Sequence, residues 1–218
     1  MLAKDNLGKN NGFEGKLIVF EGNDGAGKST LVKYFSKYLT SKGVPNIVMK
    51  FNMSFVTLPA IKEGKKRRYG PYTNTLLHTT SIVDQFERFV CKELKKGKAV
   101  ICDRYIYSVI ARGIARGVDP NWAKSLVSWM IQPDYVFYLD ISPEDALERI
   151  GRDAISFWEA GQDIMVEKDK EVCFLEFQKK VGDIFKVYAL EWKFVRIDGR
   201  NAIDKKLQMV YNYITNHG

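Results

Sequence analysis

A lysine, a serine and three spaced glycines are the residues of this chain best suited to chemistry. Gly22-Asn23-Asp24-Gly25-Ala26-Gly27-Lys28-Ser29-Thr30 reads G-x-x-x-x-G-K-S. Glycines at those places let backbone N–H groups turn inward around a polyphosphate, and a helix opening at Lys28 adds the positive end of its dipole. Lys28 can then reach the β- and γ-phosphates of a nucleoside triphosphate, and the Ser29 hydroxyl can hold Mg²⁺. The context fits: Leu17-Ile18-Val19-Phe20 precedes the loop as a buried strand, and Leu31, Phe35 and Leu39 follow on one helical face. A second constellation is Asp103-Arg104-Tyr105, directly after the apolar run Ala99-Val100-Ile101-Cys102. An acid at a strand end can bind Mg²⁺ or orient a nucleophile, and the arginine beside it can grip another phosphate with two parallel hydrogen bonds.

The elements that position these residues alternate. Short apolar runs at 17–20, 46–51, 99–103, 135–140 and 193–197 are separated by longer helical patterns. That is the pattern of a mainly parallel sheet covered on both faces. A helix is expected from about Thr75 to Lys96, one of about a dozen residues after Asp119-Pro120, and one opened by Ser142-Pro143-Glu144-Asp145. A long helix from about Glu167 to Leu190 and a closing helix over 201–214 complete the chain. Residues 52–74 read as irregular and basic, with Lys62-Glu63-Gly64-Lys65-Lys66-Arg67-Arg68 as a solvated loop and Gly70-Pro71 as a turn. In such a sheet ligands collect at the carboxyl ends of the strands, which selects Gly22–Ser29, Phe51–Ser54, Asp103-Arg104, Asp140 and Asp198.

Composition adds limits. The 218 residues suit one α/β domain, with apolar residues at 45% and charged residues at 28%. Lys plus Arg number 34 against 26 acids, a net +8 that suits anionic substrates and would equally suit nucleic acid. The three cysteines, Cys91, Cys102 and Cys173, have neither metal-ligand spacing nor an even count, and point to a reducing cytoplasm. Met1–Gly15 is polar and lacks the apolar core of a signal peptide, and no run approaches membrane-spanning length.

Glu21–Thr30, Asp103-Arg104-Tyr105 with Ser108, and Pro133-Asp134 before Tyr138-Leu139-Asp140 occur in the order and rough spacing of the thymidylate kinases. Over about residues 16–200 the chain resembles that family. The resemblance implies the P-loop kinase fold, a five-stranded parallel sheet with helices on both faces and a short lid (about 149–163), in a single domain. It also implies transfer of the ATP γ-phosphate to dTMP with Mg²⁺ at Ser29 and Asp103, in a homodimer without nucleic acid or membrane. Carried over by position, Gly22 to Thr30 hold ATP, with Lys28 on its phosphates. Asp24 resembles the loop carboxylate that holds the acceptor sugar, Arg104 the arginine on the acceptor phosphate, and Asp103 the acid near the metal. Phe51, Ser108 and Arg112 fall on the acceptor side.

Some family members carry a charge-stabilising arginine directly after the loop acid. Here that position is Gly25, so the charge is expected from Arg149 or Arg152 at the start of the lid. Trp158-Glu159-Ala160-Gly161 resembles an aromatic-Glu-x-Gly stretch of family lids. Acceptor recognition departs from the family. The usual Phe-Pro and nearby arginine after strand two are replaced by Phe51-Asn52-Met53-Ser54, with Lys62, Arg67 or Arg68 as candidate substitutes for the charge. Leu76-Leu77-His78 resembles the Leu-Leu-Phe of the base platform, with His78 either on the base or on the helix surface. The arginine expected one turn later is absent; Ile82 and Val83 stand there. A kinase for another (deoxy)nucleoside monophosphate and a nucleic-acid-dependent ATPase are the alternatives. A GTPase would need Asn-Lys-x-Asp, and a nucleoside kinase a Glu-x-Trp motif after strand two; the chain has neither.

Overall fold

The computed structural model describes residues 12–165 and 168–217. Five parallel strands, β1 (Leu17–Gly22), β2 (Asn46–Lys50), β3 (Ala99–Asp103), β4 (Tyr135–Asp140) and β5 (Val195–Asp198), form one sheet in the order β2-β3-β1-β4-β5. β1 lies at the centre, with Phe20 beside Asp103 on one side and Phe137 on the other. Successive side chains of a strand point to opposite faces. Leu17 and Val19 therefore join the core under α3 (Pro71–Gln85), α5 (Ile106–Ala115) and α8 (Lys170–Glu191). Ile18 and Phe20 join the core under α1 (Lys28–Ser41), α7 (Pro143–Ile150) and α9 (Ile203–His217). Burial on both faces is why these strands read as unbroken apolar runs. Cys102 is a buried core residue, and all three cysteines are free thiols.

The strands at 99–103 and 135–140 and the Ser142 cap, which accepts from the Asp145 N–H at 3.0 Å, lie where the sequence puts them. The stretch 52–74 does not conform to the irregular reading. It contains α2 (Leu58–Arg67), which buries Ile61 and Gly64 and packs the ring of Tyr69 against Gly64. Its short apolar face is masked by basic residues on the other side. Pro71 is the first residue of α3 rather than part of a turn, where its missing N–H costs nothing. The helix expected to run unbroken to Lys96 widens into a π-turn at Phe86–Val90 before α4 (Cys91–Lys95), keeping both Phe86 and Val90 buried. α6 (Pro120–Ser125) has the expected Asp119 cap, on the Trp122 N–H at 2.7 Å, but half the expected length. Beyond it, Ser125 and Ser128 hydroxyls donate to carbonyls three residues back, which favours tighter turns over α-helix. α8 begins at Lys170, capped by Asp169; Glu167 and Met1–Asn11 lie outside the described residues.

Candidate active site

The central strand delivers the phosphate loop. Gly25 and Gly27 adopt left-handed backbone, φ +79° and +88°, and α1 starts at Lys28. A Cβ at Gly25 would lie 2.8 Å from the Ala146 carbonyl oxygen, so a side chain there would collide with α7. An arginine at that position is sterically excluded by this packing. The buried Lys28 ammonium donates to the Asn23 carbonyl. Burial and then the nearby Arg104 push its pKa down to about 7, against the pull of Asp24, Asp103 and Glu21. Ser29 donates to the Asp103 carboxylate. These two side chains line the cleft that holds Gly27, Lys28 and Thr30.

Glu21 organises the neighbouring strand end. Fully buried, it accepts from the Tyr105 N–H at 2.8 Å, the Ser108 N–H at 3.2 Å and the Ser108 hydroxyl at 2.5 Å. Burial outweighs those bonds and the nearby cations and raises its pKa to about 7. Arg104 holds φ +72°, a conformation a non-glycine residue keeps only when its surroundings fix it. Its Nη1 donates to the Gly22 carbonyl at 2.9 Å and to Ser108 Oγ at 3.1 Å, and Nη2 pairs with Asp24. A guanidinium has five N–H donors, so Nε–H and the second Nη2 proton remain as a two-pronged grip for an anion.

Asp24 is the hub of the site. Arg104 takes one oxygen; Arg112 (2.7 Å) and Gln178 Nε2 (2.9 Å) take the other. Burial works against its ionisation, but Arg112, Arg104 and Lys28 outweigh that and hold its carboxyl far below the usual carboxylate range. Gln178, from α8, also accepts from the Asp24 N–H at 3.2 Å. No local pattern marks it, because it lies 154 residues from Asp24.

Asp24, Phe51, Arg104 and Glu159 line two adjoining cavities. One is the phosphate cleft, which Arg149 also borders. The other is enclosed by Asn52, Lys65, Asn74, His78, Ser108 and Arg112, with Trp158. Arg149 and Arg152 part company. Arg149 donates to the Gly199 carbonyl at 2.9 Å beside the cleft, whereas Arg152 is exposed and paired with Glu171 at 2.8 Å. His78 is not a bare surface residue. Its ring stacks on Phe51 (centroids 5.3 Å, 18° between planes) and its Nδ1 lies 2.6 Å from Asn52 Oδ1.

Of the basic segment, Arg67 pairs with Glu63 and Arg68 stands over the Phe157 ring; Lys65 is the member that reaches the cavity. Four residues after the buried Ile61, it shares that helical face. The spacing would have singled it out once residues 58–67 were read as a helix. Arg116, one turn beyond Arg112, was also missed. It pairs with Asp163 at 2.8 Å, donates to the Trp158 carbonyl at 2.8 Å and covers Phe177, tying residues 158–163 to α5.

A family model described as thymidylate kinase matches residues 20–208. The chain belongs to the thymidylate kinase family. It is 38% identical over 195 residues to a probable thymidylate kinase 2 of Saccharolobus solfataricus, covering 88% of this chain and 91% of that protein. A thymidylate kinase of Mesomycoplasma hyopneumoniae is 34% identical over 208 residues, covering 90% and 94%. One from Arabidopsis thaliana is 30% identical over 200 residues, covering 90% of this chain and 70% of that protein. Family membership thus agrees with a phosphate loop and a strand-end Asp-Arg gathered at one end of a P-loop kinase sheet.

Proposed function

We propose that this chain transfers the γ-phosphoryl group of ATP to dTMP, giving ADP and dTDP. The observation that carries the reading is the pair of cavities meeting at Asp24 and Arg104. A nucleotide hydrolase needs only the phosphate cleft; a second chamber that shares Asp24 and Arg104 with it suits a phosphoryl acceptor. Phosphoryl transfer asks for positioning and for positive charge around the moving group. In this reading Gly22 to Thr30 cradle the donor phosphates, and Lys28 carries charge onto the β- and γ-oxygens. Arg104 aims Nε–H and Nη2–H at the acceptor phosphate, held in that pose by Gly22, Ser108 and Asp24. Asp24 turns to the acceptor sugar, Phe51, His78 and Arg112 enclose the base, and Arg149 closes on the phosphates from the lid (about 149–163) of the single domain.

Ser29 and Asp103, in contact within the cleft, are the oxygen donors that fit Mg²⁺, which binds through few protein ligands and the substrate phosphates. When bound it would neutralise charge on the donor phosphates. Among the described residues no helix is long and apolar enough to cross a membrane. A cytoplasmic homodimer is the setting the family resemblance suggests. The test is ADP formation from ATP and Mg²⁺ with a panel of nucleoside monophosphates. Turnover with dTMP well above dCMP, dAMP and dGMP supports the reading; ATP hydrolysis stimulated by DNA or RNA instead overturns it.

A further inference from the structure

The acceptor chamber lacks the arginine that the family resemblance places one turn after position 78, and Ile82, next on that face, is buried in the core. Something else must discriminate the base. Asn52 holds φ +60°, a left-handed conformation that asparagine tolerates better than most residues, and this turns its side chain toward His78. The Asn52 carbonyl oxygen can only accept, so the proton of the 2.6 Å contact belongs to His78 Nδ1. One face of the imidazole is taken by Phe51 and Nδ1 by Asn52, which leaves Nε2 as the unprotonated acceptor of a residue that lines the cavity. Asn52 keeps its amide N–H₂ as a donor, and Lys65 adds an ammonium at the same cavity with no hydrogen bond or ion pair among the described residues.

We propose that His78, oriented by Asn52, is the specificity-determining residue of the acceptor site, its Nε2 accepting the N3–H of a pyrimidine-2,4-dione base. The inference rests on the chain being a nucleoside monophosphate kinase. A wall that offers donor, acceptor and donor (Asn52, His78, Lys65) complements an imide edge, which offers carbonyl, N–H and carbonyl. Cytosine presents an acceptor at N3 and an amine at position 4, so it would face His78 lone pair to lone pair and Lys65 donor to donor. A polar wall that the wrong base leaves unpaired is what makes such a site selective. Burial, with the positive Arg112, Lys65 and Arg116 nearby, pushes the His78 pKa down to about 3, which keeps the ring neutral at pH 7.

Two measurements test this. His78→Phe retains an aromatic ring to stack on Phe51 but removes the acceptor. Its ratio of kcat/KM for dTMP over dCMP should fall by about tenfold or more, with the KM for ATP unchanged. The wild-type chain has only two histidines, so ¹⁵N spectra resolve His78 from His217. His78 should appear as the neutral Nδ1–H tautomer, and dTMP should shift its bare Nε2 signal upfield. An unmoved selectivity ratio in active His78→Phe, or a proton on Nε2, overturns the base contact and leaves the kinase reading intact. A wild-type chain that binds dTMP with the Nε2 shift yet transfers no phosphoryl group overturns the kinase reading and leaves the base contact standing.

Discussion

Replacing Asp24 with asparagine removes one negative charge and almost no volume, so it isolates the role of the hub. The carboxylate is 12% exposed, against 11% for Arg104 and 17% for Arg112. Arg104 would keep its bonds to Gly22 and Ser108, but Arg112 would lose its ion pair and Gln178 one of its acceptors. Leaving a little-exposed cation without its counter-ion costs about 3–5 kcal/mol. Urea unfolding at pH 7 should therefore show Asp24→Asn less stable by about 3 kcal/mol or more, with an unchanged slope. A carboxyl whose folded pKa is depressed contributes stability above its unfolded value, near 4, and loses it as pH falls toward the folded one. The gap between wild type and Asp24→Asn should thus narrow below about pH 4. Arg112→Met in the Asp24→Asn background should recover at least about 1 kcal/mol relative to the sum of the single variants. A stability loss under about 1 kcal/mol that is also flat with pH would refute the hub.

Lys28 titrates near 7 in the free protein, and a bound polyphosphate favours its charged form, so ATP binding at pH 8 should take up a substantial fraction of one proton. Calorimetry in buffers of different ionisation enthalpy reads this; Lys28→Met should abolish the uptake and cut turnover by at least about 10²-fold. Arg104→Ala should weaken dTMP binding by roughly 1.5–3 kcal/mol and ATP binding far less. Separate titrations decide it, and equal damage to both would make Arg104 a structural partner of Asp24. Arg149→Ala should lower turnover by about 10²-fold while Arg152→Ala, which removes only an exposed pair with Glu171, stays near wild type. The opposite ranking in steady-state kinetics would show that residues 149–163 rearrange before transfer.

What could be read from the chain, and what could not, divides by sequence separation. The loop at 22–30, the Asp-Arg of β3 and the Ser142 cap are local patterns, each made by neighbours in sequence, and they lie at the carboxyl end of the sheet as their types demand. α2 was hidden because its buried face is only Ile61 and Gly64, set in a stretch of lysine and arginine that reads as solvated. In such a stretch Lys62, Arg67 and Arg68 are no less prominent than Lys65, the one that lines the cavity. Gln178 and Arg116 act through partners 154 and 47 residues away, and a single sequence carries no sign of such meetings. For Gly25 the residue type pointed to a missing arginine, while the reason, the Ala146 backbone pressed against it, is visible only in three dimensions.

The proposed lid is not a flap resting on the surface. Ile155 and Ala160 are buried in the core beneath α1 and α9, and Asp163 is held by Arg116 with both side chains 5% exposed. Lifting it would expose apolar side chains to water and separate a desolvated ion pair, which makes opening a local unfolding reaction rather than a hinge swing. Exposure of apolar surface raises heat capacity. If opening limits the release of products, the Eyring plot of turnover should curve, whereas turnover limited by chemistry alone should remain close to linear. Urea well below the unfolding midpoint should then speed turnover before it slows it, as a partly unfolded lid lets nucleotides out.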